Sequence, residues 1–247
     1  MSRSETTALV TGASRGFGRA VATSLTAASA AVVGVARDRA RLQQLRGALG
    51  ATFTPVTADV TDPTVAGLLL DTHRPSILVL NAGAVPLTRP IHQHTWETFS
   101  RTWEVDVRHV FHWTREALLH PLAPGSVVVA LSSGAALGGS PLSGGYAGAK
   151  ATVRFLMSYA ADESQRAGLG IRFVSVLPKL TPHTELGAAA TAGYARRQGV
   201  EVGDFLAGFG PTLTTEHVGR AITDLASRPD EASGAYLLTP AGLSAVD

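Results

Sequence analysis

Short apolar runs alternate with longer, helix-compatible segments along almost the whole chain. Most of these runs are rich in Val, Ile and Leu and are continuous rather than alternating, which is typical of strands covered on both faces. The runs are Thr7–Gly12, Ala30–Ala36, Ala51–Val56, Ser76–Asn81, Ser126–Leu131, Ile171–Leu177 and Gly234–Thr239. The segments between them that suit crossover helices include Gly18–Ala28, Asp38–Leu49, Thr95–His120, Tyr146–Arg166 and Thr215–Ser227.

Right-handed β-α-β connections between strands of this kind produce a doubly wound parallel sheet. The sequence therefore predicts an α/β fold with about seven parallel strands and helices on both faces of the sheet. No repeat, low-complexity tract or linker divides the chain, so we expect a single domain over residues 1–247. The long stretch Pro178–Thr214 has no strand pattern, and connections of this length in a compact domain are usually functional. We predict a substrate lid at about residues 181–214.

The composition excludes several classes of function. The 247 residues are 45% hydrophobic and 16% charged, with a net charge of +2. The basic residues are scattered singly, so we expect neither a nucleic-acid surface nor an anionic-membrane surface. Cysteine is absent, which excludes disulfides and thiolate chemistry. There is no signal-peptide pattern, and no apolar run approaches the roughly 18 residues of a membrane span. We therefore expect a cytoplasmic protein.

The first apolar run leads into TGASRGFG, where Gly12, Gly16 and Gly18 stand at the turn from strand to helix. Glycine lets the backbone approach a pyrophosphate, whose charge is met by free N–H groups at the helix N-terminus. The spacing is G-x-x-x-G-x-G, so a merely tight turn is the alternative. On the functional interpretation, this turn binds the phosphates of a dinucleotide.

Polar residues follow the next strands, at the edge of the sheet where ligands bind in such folds. Arg37 follows the second predicted strand, where an NAD site commonly presents an acid; its guanidinium and that of Arg15 suit a 2′-phosphate. Asp59 follows the third strand and is expected to accept a hydrogen bond from the adenine amino group. Asn81, the only asparagine in the chain, follows the fourth. The two arginines favour NADP over NAD, with a role as solvated surface residues as the alternative.

Tyr146 and Lys150 are four residues apart on a predicted helix and therefore share a face. A tyrosine in water is a poor acid or base at neutral pH, and an adjacent ammonium stabilises the phenolate form. Ser133 ends the fifth predicted strand, where its hydroxyl can donate to a carbonyl oxygen that gains charge as hydride arrives. Tyr146 would then give that oxygen its proton. For the Y-x-x-x-K pattern alone, a core tyrosine beside a surface lysine is the alternative.

The chain resembles the short-chain dehydrogenase/reductase family over essentially its whole length. The motifs TGASRGFG, Asp59–Val60, NAG, Ser133 and YAGAK occur in the family's order. The resemblance implies a Rossmann-type domain, hydride transfer between NAD(P)(H) and a carbonyl carbon, and a homodimer or homotetramer. It also implies that Ser133 orients the substrate, that Tyr146 is the acid/base and that Lys150 binds the nicotinamide ribose. The predicted cofactor-binding residues are Gly12, Ser14, Arg15, Gly16, Phe17, Gly18, Arg37, Asp59, Val60, Asn81, Ala82, Gly83, Tyr146, Lys150, Pro178 and Thr181.

Two positions depart from the family's pattern. VDVRHVF places Asp106 where the resemblance implies a catalytic asparagine, whose backbone carbonyl holds a water linked to the lysine. An aspartate backbone can do the same, and we include Asp106 among the catalytic residues, but a buried carboxylate would oppose formation of the Tyr146 phenolate. Lys179 replaces a usual glycine after the sixth strand, where it either meets an anionic group or points outward. Thr181 or Thr184 is expected to hydrogen-bond the nicotinamide amide.

No metal site is expected. His109 and His112 are three residues apart on a predicted helix, but neither a carboxylate partner nor a third ligand is evident, so we expect surface or subunit-contact histidines. Trp96, Trp103 and Trp113 lie in the same helical region and are predicted to be core or interface aromatics.

These features together predict an NADP(H)-dependent carbonyl reductase, or the reverse alcohol dehydrogenase, with NAD(H) as the less favoured cofactor. The apolar and aromatic side chains of the lid favour an apolar or aromatic small-molecule substrate, and Arg196 and Arg197 would admit an anionic group. An NADP-binding sensor or interaction protein with a weakened site is the alternative, suggested by Asp106 and Lys179. A nucleotide-dependent methyltransferase would share the glycine turn but would not explain the Ser–Tyr–Lys set.

Overall fold

One sheet organises the computed structural model, which describes residues 6–228 and 234–246. Its eight strands follow the order β3-β2-β1-β4-β5-β6-β7-β8. They are β1 (Thr7–Thr11), β2 (Ala31–Ala36), β3 (Phe53–Thr57), β4 (Ile77–Leu80), β5 (Val127–Leu131), β6 (Arg172–Pro178), β7 (Gly234–Thr239) and β8 (Gly242–Val246). Strands β1 to β7 pair in parallel, and β8 returns antiparallel to β7. The predicted doubly wound α/β fold is confirmed. Residues 1–5, 229–233 and 247 of the predicted domain lie outside the described residues.

Helices connect the parallel strands and cover both faces of the sheet. They are α1 (Gly16–Ala27), α2 (Arg39–Leu49), α3 (Pro63–His73), α4 (Trp96–Thr102), α5 (Arg108–Leu119), α6 (Ala135–Gly138), α7 (Tyr146–Arg166), α8 (Glu185–Gln198), α9 (Val202–Ala207) and α10 (Thr215–Ala226). One apolar cluster packs α1, α2 and α10 against the sheet, and a second packs α3, α5 and α7 against it. Because both faces are covered, the central strands are apolar on both sides, as their continuous runs predicted. Among the described residues, no helix has both the length and the apolar character that crossing a membrane requires.

Strand β8 and helix α3 are among the elements that were not predicted from the sequence. Strand β8 pairs only with β7 at the edge of the sheet, and most of its residues are exposed, so it has no continuous apolar run. Helix α3 begins at Pro63 after Asp62, whose side chain accepts a hydrogen bond from the Thr64 N–H and so caps the helix. Both elements have local signals that are weaker than those of the buried strands.

The segment predicted as one helix over Thr95–His120 contains a change of helix type. Helices α4 and α5 are joined by a π-helical segment, Trp103–Val107. Such segments are uncommon and are often found at functional sites, because they change the direction in which side chains leave the helix. Asp106 lies within this segment and is buried.

The predicted lid region contains two helices, α8 and α9, and no strand among its residues. Thr184 caps α8, since its hydroxyl accepts a hydrogen bond from the Gly187 N–H at 3.0 Å. Helix α8 also packs closely against Thr88 at Gly193. A Cβ on Gly193 would lie only 2.1 Å from the Thr88 methyl group. The segment therefore lies against the loop that follows β4.

Candidate active site

The glycine turn after β1 needs glycine for two different reasons. Gly12 has a φ of +68°, and a Cβ there would lie 2.7 Å from the side-chain nitrogen of Asn81. A Cβ on Gly18 would lie 2.2 Å from the Gly12 carbonyl oxygen. Gly16 has a φ of +54°, and of the described residues only the Thr184 side chain lies within 4 Å of the place its Cβ would take. The turn is closed towards the protein and open at Gly16, and that open cradle at the start of α1 fits a dinucleotide pyrophosphate.

Asn81 joins the end of β4 to this turn. Its side-chain amide donates to the carbonyl oxygens of Thr11 at 3.0 Å and Gly12 at 3.3 Å. The buried Thr11 hydroxyl accepts from the N–H groups of Asn81 at 2.9 Å and Ala82 at 3.2 Å, and it donates to the Val79 carbonyl at 3.2 Å. Thr11 was not among the site residues predicted from the sequence, where its only signal is a threonine directly before the first glycine of the turn.

The predicted adenosine-binding residues lie around the ends of β2 and β3. Arg15 and Arg37 are exposed. The Oδ1 atom of Asp59 accepts from the Thr61 N–H at 3.0 Å and from the Thr61 hydroxyl at 2.8 Å, and these bonds hold the Asp59 pKa below its ordinary value. The Val60 carbonyl accepts a hydrogen bond from the Trp113 indole at 3.0 Å. Trp113 is fully buried, so the backbone after β3 is held from the interior.

Ser133, just after β5, and Tyr146, at the start of α7, each carry a hydroxyl group that can donate a hydrogen bond. The Ser133 oxygen accepts from the Ala135 N–H at 3.2 Å, which leaves its O–H free to donate. Tyr146 begins α7 and is half-buried. Its hydroxyl has no hydrogen-bond partner among the residues that the structure describes. The start of α7 is fixed by the Trp103 indole, which donates to the Gly145 carbonyl at 3.2 Å.

Lys150 is buried and lies one turn along α7 from Tyr146. Its Nζ donates to the Leu131 carbonyl at 2.9 Å and lies 5.7 Å from the centre of the Tyr146 ring. The Ser132 hydroxyl donates to the Lys150 carbonyl at 2.7 Å, which ties the end of β5 to α7. Ser132 was another residue that the sequence analysis missed, although the SS pair at the end of the strand was its signal.

The carboxylate of Asp106 forms a buried ion pair with Lys150. Its Oδ2 atom lies 3.0 Å from Lys150 Nζ, and Oδ1 accepts from the Ala84 N–H at 2.8 Å. Burial acts to lower the pKa of Lys150, but the charges of Asp106 and then of Tyr146 outweigh it, and the pKa is raised above its ordinary value. Gly83 makes room for the carboxylate, because a Cβ there would lie 2.8 Å from Oδ2. Asp106 therefore joins the loop after β4 to the lysine of α7.

His109 lies one turn further along the helix and is fully buried. The predicted surface or subunit-contact position is therefore wrong for His109, because its side of α5 packs into the core. Neither ring nitrogen makes a hydrogen bond of good geometry with the described residues, although the Ala82 backbone lies close enough to act on the pKa of the imidazole. The ring meets Trp113 edge-on at 6.0 Å between centroids. Burial, and next the positive charge of Lys150, lower the pKa of His109 to about 3. The imidazole is therefore neutral at physiological pH. No cluster of three or more His, Asp or Glu side chains suited to a metal is present in the described part of the chain.

Known proteins with similar sequences identify the family of this chain. A family model described as short chain dehydrogenase matches residues 6–195. The chain belongs to the short-chain dehydrogenase family. A probable NADP-dependent dehydrogenase of Haemophilus influenzae is 33% identical over 189 residues, 73% of each chain. A cis-4-hydroxycyclohexanecarboxylate dehydrogenase of Sinomonas cyclohexanicum is 32% identical over 254 residues, 98% of each chain.

A solved structure shows the same fold. It is a 3-ketoacyl-(acyl-carrier-protein) reductase from Brucella melitensis complexed with NADH, with a TM-score of 0.79 and 24% identity. The match covers 94% of this chain and 96% of that chain. The predicted family and the oxidoreductase class of this short-chain dehydrogenase are confirmed.

The segment after β6 departs from the expected site in this short-chain dehydrogenase. The Thr181 hydroxyl is buried and donates to the Leu213 carbonyl, so in the structure it serves the backbone of the predicted lid. Thr184 lies over Gly16 instead. Pro178 ends β6, and Lys179 is exposed beyond it. The contact of Thr181 with nicotinamide stays a prediction.

The predicted lid also contacts the loop between Ser133 and Tyr146. The hydroxyls of Tyr194 and Ser140 are hydrogen-bonded to each other. Tyr194 stacks on Phe205 at 6.1 Å between ring centroids, and Phe205 meets Phe209 at 4.9 Å. An aromatic cluster of α8, α9 and the residues just after α9 is thus joined through Tyr194 to the loop between Ser133 and Tyr146.

Proposed function

We propose that this short-chain dehydrogenase transfers a hydride between NADP(H) and a carbonyl or secondary-alcohol substrate, with Tyr146 as the acid/base. One observation carries the proposal: Ser133 and Tyr146 both keep a hydroxyl free to donate, and the buried ammonium of Lys150 lies 5.7 Å from the centre of the Tyr146 ring. Two free donors, one just after β5 and one at the start of α7, suit a carbonyl oxygen on which negative charge develops.

Each residue has a defined task in this proposal. The nicotinamide, when bound, supplies or accepts the hydride. Ser133 donates to the substrate oxygen, and Tyr146 gives that oxygen a proton in reduction and removes it in oxidation. Lys150, held by the Leu131 carbonyl and the Asp106 carboxylate, keeps a positive charge beneath the tyrosine. The backbone around Gly12, Gly16 and Gly18 would hold the pyrophosphate, and the ends of β2 and β3 would hold the adenosine.

A preference for NADP is part of the proposal. Arg15 and Arg37 offer exposed guanidinium groups where the adenosine ribose binds in this fold. The Haemophilus influenzae relative, named a probable NADP-dependent dehydrogenase, supports the same cofactor.

The substrate is proposed to be apolar or aromatic. The Tyr194, Phe205 and Phe209 rings support an apolar site, and a relative is named for an alicyclic ring that carries a carboxylate. We also propose a homodimer or homotetramer. Large apolar side chains on the outer faces of α5 and α7 support this assembly: Phe111 is 47% exposed, Phe155 53% and Tyr159 60%.

A test of the proposal is NADPH oxidation on a panel of ketones that includes aromatic and polycyclic ones, with Tyr146→Phe as the control. We expect turnover by the natural protein and a loss of about a hundredfold or more in the variant, with NADPH binding retained. Binding of NADPH without turnover of any ketone, or oxidation of any alcohol, would instead support the sensor alternative.

A further inference from the structure

Glu185 bridges two arginines that belong to different parts of the fold. It is the first residue of α8. Its carboxylate forms a salt bridge with the Arg15 guanidinium, and its Oε1 atom lies 3.1 Å from Arg41 Nη1. The side chains of Arg15, Arg41 and Glu185 are 47%, 43% and 58% exposed, so a ligand can reach all three. The first turn of the predicted lid is thus tied to the rim of the nucleotide site.

The two arginines surround the position that an adenosine ribose takes in this fold. Arg15 lies within the glycine turn between β1 and α1, and Arg41 lies in the first turn of α2, directly after β2. Arg41 also lies 3.3 Å from Oδ2 of Asp38, which caps the same helix. Guanidinium groups that converge on one anion suit a carboxylate and a phosphate equally well.

The carboxylate is held at this rim by the backbone as well as by charge. Thr184, its neighbour, caps α8 and lies against Gly16 of the glycine turn. The pKa of Glu185 is lowered by its hydrogen bond to Arg41 and by the charge of Arg15, so the side chain is an anion at neutral pH.

We propose that Glu185 is a specificity-determining residue that competes with the 2′-phosphate of NADP(H) for Arg15 and Arg41. This inference rests on the proposed function, because it assumes that the adenosine half of NADP(H) binds at this rim. A nucleotide with a 2′-phosphate displaces the carboxylate and releases the first turn of α8 from the two arginines. A nucleotide without that phosphate leaves the bridge intact. Binding of the 2′-phosphate is thereby coupled to the position of the predicted lid, which contains α8.

The test compares the binding of 2′,5′-ADP and 5′-ADP by calorimetry to the full-length natural protein and to Glu185→Gln. The glutamine has the same shape without the charge, so we expect about three- to tenfold tighter binding of 2′,5′-ADP, as two exposed ion pairs allow, and unchanged binding of 5′-ADP. Glu201→Gln is the matched control, because Glu201 is an exposed acid of the same segment at the start of α9. It should change neither affinity.

The outcomes separate this inference from the function on which it rests. If the natural protein binds 2′,5′-ADP but Glu185→Gln binds it no more tightly, the competition is disproved while the proposed cofactor stands. Weaker binding by the variant would also overturn it, since Glu185 would then position the arginines for the phosphate. An equal gain for both nucleotides would show a general charge effect and would overturn the selectivity. If the natural protein binds neither nucleotide and does not oxidise NADPH, the proposed function itself fails.

Discussion

The ammonium of Lys150 and the carboxylate of Asp106 lie 3.0 Å apart in the interior, where the residues are 7% and 1% exposed. Burial of two charges is favourable only when they are paired and when hydrogen bonds satisfy their remaining atoms. Here the Leu131 carbonyl and the Ala84 N–H supply those bonds. The proposed acid/base, Tyr146, therefore faces a neutral pair rather than an isolated ammonium.

We predict that Asp106→Asn moves the pH dependence of activity to lower pH. Without the carboxylate, the Lys150 ammonium is no longer neutralised, and the Tyr146 phenolate forms more readily. Carbonyl reduction, which needs the protonated tyrosine, should lose its activity on the alkaline side about one pH unit earlier. Alcohol oxidation should gain activity at correspondingly lower pH. Profiles of kcat/KM against pH in both directions measure this.

The control for this shift is Asp162→Asn, which removes an exposed carboxylate from the same helix as Tyr146 and Lys150. The other groups that face the pair are Tyr146 itself, the neutral His109 and, beyond it, Asp59. Neither variant changes them. Superimposable profiles for the natural protein and Asp106→Asn would show that the carboxylate has no influence on the acid/base.

The same pair predicts a non-additive loss of stability. Asp106→Asn leaves a buried ammonium unpaired and should lower the free energy of unfolding of the cofactor-free protein by about 3–5 kcal/mol at pH 7. Lys150→Met leaves the buried Asp106 carboxylate unpaired and should lower the free energy of unfolding by a similar amount. The double variant removes both charges and should cost clearly less than the sum, as urea denaturation would show. The pKa of Lys150 is raised in the folded state. The stabilisation from its charge is therefore complete at pH values below the ordinary lysine pKa and is lost as the pH rises through the raised pKa. Strictly additive costs would contradict the coupling.

His109 predicts a loss of stability in acid. Its pKa is about 3 in the folded state against 6.5 ordinarily, so between these values the unfolded chain binds a proton that the native protein excludes. The contribution of His109 to the free energy of unfolding should therefore be complete above pH 6.5. Below that pH it should fall by about 1.4 kcal/mol per pH unit. His109→Leu should remove that part of the slope between pH 6 and pH 4, as denaturation at several pH values would show. His92→Gln, a change of an exposed histidine, should leave the slope as it is. An unchanged slope in His109→Leu would mean that the imidazole is protonated in the native protein.

Gly83 offers a direct test of the contact between the loop after β4 and Asp106. Gly83→Ala would place a Cβ 2.8 Å from Asp106 Oδ2, so the carboxylate must move and the Lys150 pair with it. We expect a loss of about 1–3 kcal/mol in stability together with reduced kcat. Gly47→Ala is the matched control: Gly47 lies in α2 with nothing within 4 Å of its Cβ position, so alanine should stabilise the helix by about 0.5–1 kcal/mol. Equal behaviour of the two variants would refute the close contact.

The sequence by itself determined the fold and the main site motifs. Buried parallel strands are marked by continuous apolar runs, and the glycine turn and the Y-x-x-x-K spacing are local patterns, so each could be read without its neighbours. The same reasoning missed β8, whose exposed edge position leaves no apolar run. It also treated Thr95–His120 as one regular helix, because no local signal marks the π-helical segment that contains Asp106.

Only the tertiary structure decided how the charges are paired. The sequence marked Asp106 as unusual, but its pairing with Lys150 depends on the approach of α7 to the π-helical segment. The burial of His109 depends on the packing of α5 against the sheet. Glu185 reaches Arg15 across 170 positions of the chain, and nothing near either residue indicates the other. Local patterns fix elements because their interactions are close in sequence, whereas ion pairs and burial depend on which distant elements the fold brings together.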